Sequence, residues 1–246
     1  MAAKESFQGE KSVFGRNKLL LVDIGNTRVK YAYSTEGELT QQCYAASLAE
    51  LDLSGVIEVR IGSVARKAEV EQWLATLPDD ILIKQAKVSP EAYGVRCIYP
   101  DCSRLGVDRW LAMIAARKEN TDDLVVIDLG SAITVDYLAK NGQHDGGYIV
   151  PGLAMMRKSL GQTTEQVGLS GGKGKKITPG SDTSSCVDHG VMRLAVNFVQ
   201  SVIDENAEKA QVFITGGDSK QVCAKNSGAF EIDESLVIRG LQHCFD

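Results

Sequence analysis

The first apolar run of the chain lies at residues 19–33 and reads LLLVDIGNTRVKYAY. It has the pattern of a buried strand, a sharp turn and a second strand. The turn contains Asp23, followed by Gly25, Asn26 and Thr27. Asn and Gly suit a plain hairpin turn, but a carboxylate at the end of a buried strand is costly unless it has a partner. The run therefore predicts either a capped hairpin turn or one wall of a ligand site.

A second run of the same kind lies at residues 124–138 and reads LVVIDLGSAITVDYL. Asp23 aligns with Asp128, and Gly25 with Gly130, at a constant separation of 105 residues. Self-similarity at a fixed offset indicates a repeated structural unit. The repeat predicts a duplicated α/β fold with halves at residues 18–120 and 121–246, preceded by a flexible extension at residues 1–17.

Apolar periodicity predicts strands that alternate with helices in both halves. The predicted strands are residues 19–24, 28–34, 56–63, 81–85, 124–129, 134–139, 146–150 and 212–215. The predicted helices are residues 68–77, 107–118, 153–160, 184–206 and 221–225. The helix at 184–206 is the most amphipathic, and residues 182–184 offer its N-cap.

The composition narrows the class of protein. The 246 residues carry a formal net charge of −5, which gives no general attraction to nucleic acid. The six cysteines form no CxxC pair, a pattern that predicts reduced thiols in a cytoplasmic protein. No apolar run reaches the roughly 18–20 residues that span a bilayer, and no membrane association is expected.

The residues of the two turns suit phosphate and metal chemistry. Two carboxylates in repeated halves are natural ligands for a hydrated cation. A glycine lets the backbone approach a phosphate closely, and the next residues present N–H and hydroxyl groups. Asn26, Thr27 and Ser131 are thus candidates for phosphate contacts, and Lys30 for a contact with the β- or γ-phosphate.

The two turns with the pattern DxG resemble the phosphate loops of the superfamily of acetate and sugar kinases, Hsp70 and actin. That fold duplicates a ribonuclease-H-like domain and binds ATP in the cleft between the halves. The motifs DIGNTRVK, RLGVDRW, DLGSAITVD, GGYIVPG and ITGG also follow the order and spacing found in type III pantothenate kinases. This resemblance covers residues 18–240.

The resemblance implies ATP-dependent phosphorylation of pantothenate to 4′-phosphopantothenate, the first step of coenzyme A biosynthesis, with Asp108 as the general base. The implied ATP-binding residues are Asp23, Ile24, Gly25, Asn26, Thr27, Arg28, Val29, Lys30, Ser131, Gly216 and Gly217. The implied pantothenate-binding residues are Tyr99, Gly106, Val107, Asp108, Arg109 and Thr183.

The resemblance also implies cofactors and a partner. Mg²⁺ would accompany ATP, with Asp23 as a candidate ligand, and Asp128 would hold a monovalent cation, K⁺ or NH₄⁺. The family is homodimeric, with sites at or near the subunit interface. Asp136 is a further candidate for holding Mg²⁺ through water, although it also fits a solvated strand residue.

Alternatives to these assignments stay open at the level of sequence. Asp108 in a first helical turn also suits a simple interaction with the helix dipole, Arg109 a surface ion pair, and His144 and His189 structural roles. The lysine run at residues 173–176 suits a solvated loop or an anion lid. The whole chain also fits another kinase or phosphohydrolase of the same fold, or a regulator related to Bvg accessory factors.

The chain departs from the family pattern at several positions. Ser131 stands where Thr is usual, Cys102 where a proline is frequent, and Asp182 where Asn is common before Thr183. The run SGGKGKK at residues 170–176 matches no motif of the family.

Overall fold

The computed structural model describes residues 17–25, 28–63, 65–163 and 176–245. The predictions made for residues 1–16, for Asn26 and Thr27, and for residues 170–175 lie outside the described residues.

Thirteen strands and six helices are present in these described segments. The strands are β1 (Lys18–Ile24), β2 (Val29–Thr35), β3 (Glu38–Leu39), β4 (Cys43–Ala45), β5 (Val56–Ser63), β6 (Leu82–Gln85), β7 (Glu91–Ala92), β8 (Val95–Arg96), β9 (Leu124–Leu129), β10 (Ala132–Leu138), β11 (His144–Pro151), β12 (Gln211–Thr215) and β13 (Glu231–Ile232). The helices are α1 (Lys67–Leu74), α2 (Val107–Glu119), α3 (Leu153–Thr163), α4 (Thr183–Asn206), α5 (Ser219–Cys223) and α6 (Leu236–His243).

The two main sheets share one topology. The first has the strand order β3-β2-β1-β5-β6 and the second the order β11-β10-β9-β12-β13. In each sheet a central strand pairs antiparallel with the strand that follows it, β1 with β2 and β9 with β10. On its other side the same strand pairs parallel with a later one, β1 with β5 and β9 with β12. The repeated turn patterns thus correspond to two equivalent hairpins.

Helices α2 and α6 join the two sheets through a shared core. Leu21 of β1 and Val126 of β9 belong to one apolar cluster with both helices. The helices approach closely because α6 has Gly240 at the contact, where a Cβ atom would overlap the backbone of Leu111. Helix α6 therefore packs on the first sheet although its sequence follows the second. The predicted division into two domains at residue 120 stays a prediction. One apolar cluster contains residues from both sides of that boundary.

The outer faces of the sheets have their own helices. Helix α1 packs with the outer face of the first sheet, and α4 and α5 with that of the second. The predicted N-cap of α4 is Asp182, whose carboxylate accepts the Ser185 N–H at 2.9 Å in a capping box. In the part of the chain that the structure describes, no helix combines the length and apolarity needed to cross a membrane.

The predicted elements agree with most of the observed ones, and the differences have local causes. The helix predicted at residues 221–225 lies instead at Ser219–Cys223. The sequence analysis missed α6 and five short strands. Four of these strands, β3, β7, β8 and β13, have two residues each, and β4 has three. Such short strands carry too little alternation to be recognised, and the internal glycine of α6 weakens its helical signal.

Candidate active site

Asp23 lies at the carboxyl end of β1 and has a basic partner on the neighbouring strand. The β1–β2 register pairs Asp23 with Lys30, and the Lys30 Nζ lies 3.5 Å from the Asp23 Oδ2. Asp23 is only 6% exposed, and burial raises its pKa, partly offset by Lys30. Burial opposes the charge on Lys30, but the charges of Asp23 and Asp128 prevail and raise the pKa of Lys30.

Asp128 takes the equivalent place at the end of β9 in the second sheet. Its Oδ1 is buried and has no hydrogen-bond partner among the described residues. Burial, followed by the charges of Asp108, Asp23 and Asp136, raises the pKa of Asp128 to about 6, against the opposing effect of Lys30. The Thr215 Oγ1, on the strand residue in register with Asp128, is also buried and has no partner within the described chain. Two buried oxygens without a hydrogen-bond partner among the described residues thus lie on paired positions of neighbouring strands.

Asp108 lies in the first turn of α2, whose N-cap is Gly106. Its Oδ1 accepts the backbone N–H of Arg109 at 2.8 Å, and a Cβ atom at residue 106 would come within 2.5 Å of that oxygen. The glycine therefore leaves room for the carboxylate at the helix N-terminus.

The structure brings three of the predicted carboxylates into one electrostatic group. The charge of Asp108 acts on both Asp23 and Asp128, and Lys30 acts on the same two. Asp23 belongs to the first sheet, Asp128 to the second and Asp108 to the helix between them. In the described ranges, no group of three or more Asp, Glu, His or Cys residues is close enough to hold a metal ion alone. A metal ion here would need ligands from a bound phosphate, as Mg²⁺ usually has.

Arg109 and Asp136 form a buried ion pair. The sequence analysis offered a surface ion pair for Arg109 and a solvated strand position for Asp136. The Arg109 Nε and Nη2 donate to the two Asp136 oxygens at 2.9 and 2.5 Å. Arg109 is 6% exposed and Asp136 1%. Arg109 is therefore not in a surface ion pair, and Asp136 is not a solvated strand residue. Both oxygens of Asp136 already accept hydrogen bonds, so its predicted role as a Mg²⁺ holder is not supported.

Two aromatic rings complete this network. The His144 Nε2 lies 2.9 Å from the Asp136 Oδ1, and the Arg109 Nη1 donates to the Tyr99 hydroxyl at 3.1 Å. The rings of Tyr99 and His144 are stacked with their centroids 6.0 Å apart. The predicted substrate residues Tyr99 and Arg109 are thus in contact with each other.

The remaining predicted site residues occupy several places. Ile24 and Val29 are fully buried core residues that flank the first turn, where the Gly25 N–H donates to the Arg28 carbonyl at 3.2 Å. Ser131 is an exposed residue of the equivalent β9–β10 turn, Val107 begins α2 and Gly217 is exposed after β12.

Two predicted residues have more specific surroundings. Gly216 has φ +95°, and a Cβ atom there would overlap the Asp128 Oδ1 and the backbone of Leu129. The first of the two glycines after β12 therefore lies directly against Asp128. Thr183, by contrast, begins α4 and lines an apolar groove along that helix.

Comparisons with known proteins show the family of the chain. A family model described as type III pantothenate kinase matches residues 19–205. The type III pantothenate kinase of Teredinibacter turnerae is 36% identical over 239 residues, which cover 90% of this chain and 96% of the relative. That of Chromohalobacter salexigens is 34% identical over 243 residues, covering 92% of this chain and 87% of the relative.

The chain belongs to the type III pantothenate kinase family. The family assignment predicted from the five ordered motifs is confirmed.

Solved structures show that this type III pantothenate kinase has the predicted fold class. The activator of 2-hydroxyisocaproyl-CoA dehydratase from Clostridium difficile, solved with bound ADPNP, matches with a TM-score of 0.50 at 11% identity and covers 93% of this chain and 94% of its own. A Baf family protein from Campylobacter jejuni, described as a transcriptional activator, has a TM-score of 0.57 at 24% identity, with coverages of 91% and 95%. At these identities the likeness concerns the fold alone. The predicted fold class, a duplicated α/β architecture, is confirmed.

The sequence analysis assigned no role to His144 and a wrong environment to Asp136. One signal was available for Asp136, because Arg109 lies on a helix whose neighbouring residues are almost all apolar. A buried guanidinium requires a buried counter-charge. Nothing in the local pattern around His144 indicates that its partner is Asp136.

Proposed function

We propose that the chain transfers the terminal phosphoryl group of ATP to the primary hydroxyl of pantothenate, forming 4′-phosphopantothenate and ADP. The observation that carries the proposal is that Asp23, Asp108 and Asp128 form one electrostatic group, with Lys30 beside Asp23, in a chain of the type III pantothenate kinase family. Phosphoryl transfer depends mainly on alignment and charge neutralisation, and these four groups are suited to both.

Asp108 acts as the general base in this proposal. Its carboxylate accepts the proton of the pantothenate hydroxyl, while the hydroxyl oxygen forms a bond to the γ-phosphorus. The bond from that phosphorus to the bridging oxygen breaks and ADP leaves. The Arg109 N–H, at the N-terminus of α2, holds the carboxylate in place.

ATP binds against the two hairpin turns and the glycines after β12. Lys30 lies beside Asp23 and is neutralised by it, so it is ready to exchange that partner for a phosphate oxygen. Asp23 holds Mg²⁺ of the ATP complex through water, and this ion neutralises charge on the phosphates. The substrate segment is formed by Tyr99 and the run from Gly106 to Arg109.

Asp128 holds a monovalent cation, K⁺ or NH₄⁺. The support is its buried Oδ1 without a partner in the described chain, together with the similarly unpartnered hydroxyl of Thr215. A singly charged ion offsets the carboxylate charge, and oxygen donors are the ligands that such hard cations prefer.

This cation site predicts an unusual stability profile for the variant Asp128→Asn. The pKa of Asp128 is about 6 in the fold, above its ordinary value of 3.8. Without a cation, the ionised form opposes folding above pH 6 by up to about 3 kcal/mol, and this penalty disappears as the pH falls below about 4. Asp128→Asn should therefore melt at a higher temperature than the wild type at pH 8 in tetramethylammonium buffer, and the difference should shrink toward pH 4.

Added KCl or NH₄Cl provides the control in the same melting experiment. Either salt should raise the wild-type midpoint and leave Asp128→Asn unchanged relative to tetramethylammonium chloride of equal ionic strength, because only the wild type gains a bound ion. Equal responses of the two proteins would contradict the cation assignment.

We also infer that the chain forms a homodimer through α4. A groove of about 560 Å³ runs along this helix and is lined by apolar residues such as Val187 and Leu194. Leu194 is 65% exposed and Ile149 61%, and exposed apolar surface of this kind is typical of an interface. Thr183 lies in the wall of the groove. Sedimentation equilibrium at micromolar concentration tests this inference, which a monomer would refute.

The cytoplasmic location stays a prediction from the cysteine pattern.

A direct assay tests the proposed function. The purified protein receives Mg²⁺, K⁺ and ATP with or without pantothenate, and ADP release is followed by a coupled assay. We expect release that depends on pantothenate and a product of the mass of 4′-phosphopantothenate. ADP release that is the same without pantothenate would reject the proposed acceptor.

A further inference from the structure

We propose that His144 is a positioning residue for the pantothenate end of the site. It orients both groups that contact the substrate there, Tyr99 by ring stacking and Arg109 through Asp136. The inference rests on the proposed function, since it concerns the same substrate.

His144 is fully buried and contacts both Asp136 and Tyr99. Its Nε2 lies 2.9 Å from the Asp136 Oδ1, and its ring lies at 23° to that of Tyr99. An ionised carboxylate only accepts hydrogen bonds, so the Nε2 must carry a proton and donate it. The Nδ1 is buried and has no partner among the described residues. The ring therefore has one polar contact there, and that contact is with Asp136.

Asp136 transmits this contact to Arg109. Its Oδ1 is shared by the His144 Nε2 and the Arg109 Nη2, and its Oδ2 accepts from the Arg109 Nε. Two parallel bonds from one guanidinium to one carboxylate fix the relative plane of both groups. The third bond, from His144, removes the remaining freedom of the carboxylate to rotate about its own axis.

The donors of Arg109 show what this orientation achieves. A guanidinium has five N–H donors, and three are engaged, two with Asp136 and one with the Tyr99 hydroxyl. Two N–H groups remain, one on each terminal nitrogen, and their directions are set by the plane of Asp136. Burial opposes the charge, but Asp136 keeps the pKa of Arg109 above its ordinary value. A charged donor with two fixed N–H groups suits an anionic or carbonyl group of pantothenate.

His144 connects Tyr99 with the ion pair of Arg109 and Asp136. Tyr99 comes from the segment before α2, Arg109 from α2 itself and Asp136 from β10. These three elements are joined at one point by His144 of β11. A histidine that serves only the core would affect folding and both substrates alike. A positioning residue affects pantothenate selectively, because the ion pair of Lys30, the proposed ATP contact, is with Asp23 and not with this network.

Three substitutions distinguish these roles. His144→Gln keeps an amide N–H at about the reach of the Nε2, whereas His144→Asn keeps the polarity but is too short to reach Asp136. His144→Phe keeps the ring and removes the donor. Tyr137→Phe, on β10 outside the network, is the matched control for disturbance of this sheet.

The experiment measures KM for pantothenate and for ATP, kcat and the melting temperature for each protein. We expect His144→Asn and His144→Phe to raise KM for pantothenate about tenfold or more, since a shift of about 1 Å in a positioning group can cost about a hundredfold. KM for ATP should stay within twofold, His144→Gln should recover most of the loss, and Tyr137→Phe should match the wild type. If His144→Phe does not fold, the comparison of His144→Asn with His144→Gln carries the test.

The inference is overturned if KM for pantothenate stays within twofold in His144→Asn, if both KM values rise together, or if His144→Gln is no better than His144→Asn. Its failure is separate from that of the proposed function, because a wild-type protein that phosphorylates pantothenate would still establish the activity. A wild type without this activity would instead reject the proposed function.

Discussion

Asp108→Asn is expected to lower kcat for pantothenate phosphorylation by about 10²- to 10⁴-fold. The amide keeps the shape of the side chain, and it can still accept the Arg109 N–H that the Asp108 Oδ1 accepts at 2.8 Å. It cannot take a proton from the substrate hydroxyl. The loss therefore falls on the transition state, and KM for pantothenate and for ATP should change little. Steady-state kinetics at saturating Mg²⁺ and K⁺, with pantothenate and ATP varied in turn, measure kcat and both KM values.

A change of the same kind at an exposed position serves as the control. Asp80 lies in the loop before β6 and is exposed to solvent. The variant Asp80→Asn should therefore have wild-type kinetics. The melting temperature of Asp108→Asn should also match the wild type, because the backbone hydrogen bond is retained. A kcat within a few-fold of the wild type would show that another group accepts the proton.

Asp136→Leu is expected to lower the free energy of unfolding by about 3–5 kcal/mol, as typically follows when one partner of a buried ion pair is removed. The substitution leaves the Arg109 guanidinium buried, 6% exposed, without its counter-charge. It also removes the acceptor of the His144 Nε2. Urea unfolding followed by circular dichroism measures the change as a lower midpoint at a similar slope.

A double variant separates the cost of an unpaired charge from the cost of altered packing. Arg109→Met with Asp136→Leu should recover most of the lost stability, because an apolar replacement of a whole buried pair is often neutral or stabilising. Glu91→Ala serves as the exposed counterpart, since Glu91 pairs with Arg96 at 3.2 Å with side chains 64% and 47% exposed. That change should cost about 0–1 kcal/mol. An Asp136→Leu variant no less stable than Glu91→Ala would contradict the structural role of the pair.

The fold was predictable because its signals are local. The strands β5 and β9 coincide with their predicted bounds, since continuous apolar runs between polar turns specify buried strands. The duplication was visible because each turn combines an Asp at a strand end with a glycine two residues later. Elements without such patterns, such as the two-residue strand β13 and helix α6, were missed for the same reason.

The candidate site was only partly predictable. Asp23, Asp108 and Asp128 could be named because each lies in a short ordered motif. The surroundings of Arg109 could not be derived, because its partner Asp136 is 27 residues away and no spacing rule links a helix residue to one particular strand position. The role of His144 was even less predictable, since it depends on a contact with Asp136 that exists only after β10 and β11 pair.

The sequence by itself determined the two hairpins, the duplicated α/β architecture and the family, because these follow from hydrophobic period, turn residues and ordered motifs. Only the tertiary structure decided that Asp136 serves Arg109, that His144 joins Asp136 to Tyr99, and that α6 returns to the first sheet. Charge pairing inside a core follows from which buried groups meet, since a buried charge must find its partner wherever the packing places one. The turn at Asp23 shows both levels: its pattern was legible in the sequence, and its proximity to Asp108 and Asp128 required the fold.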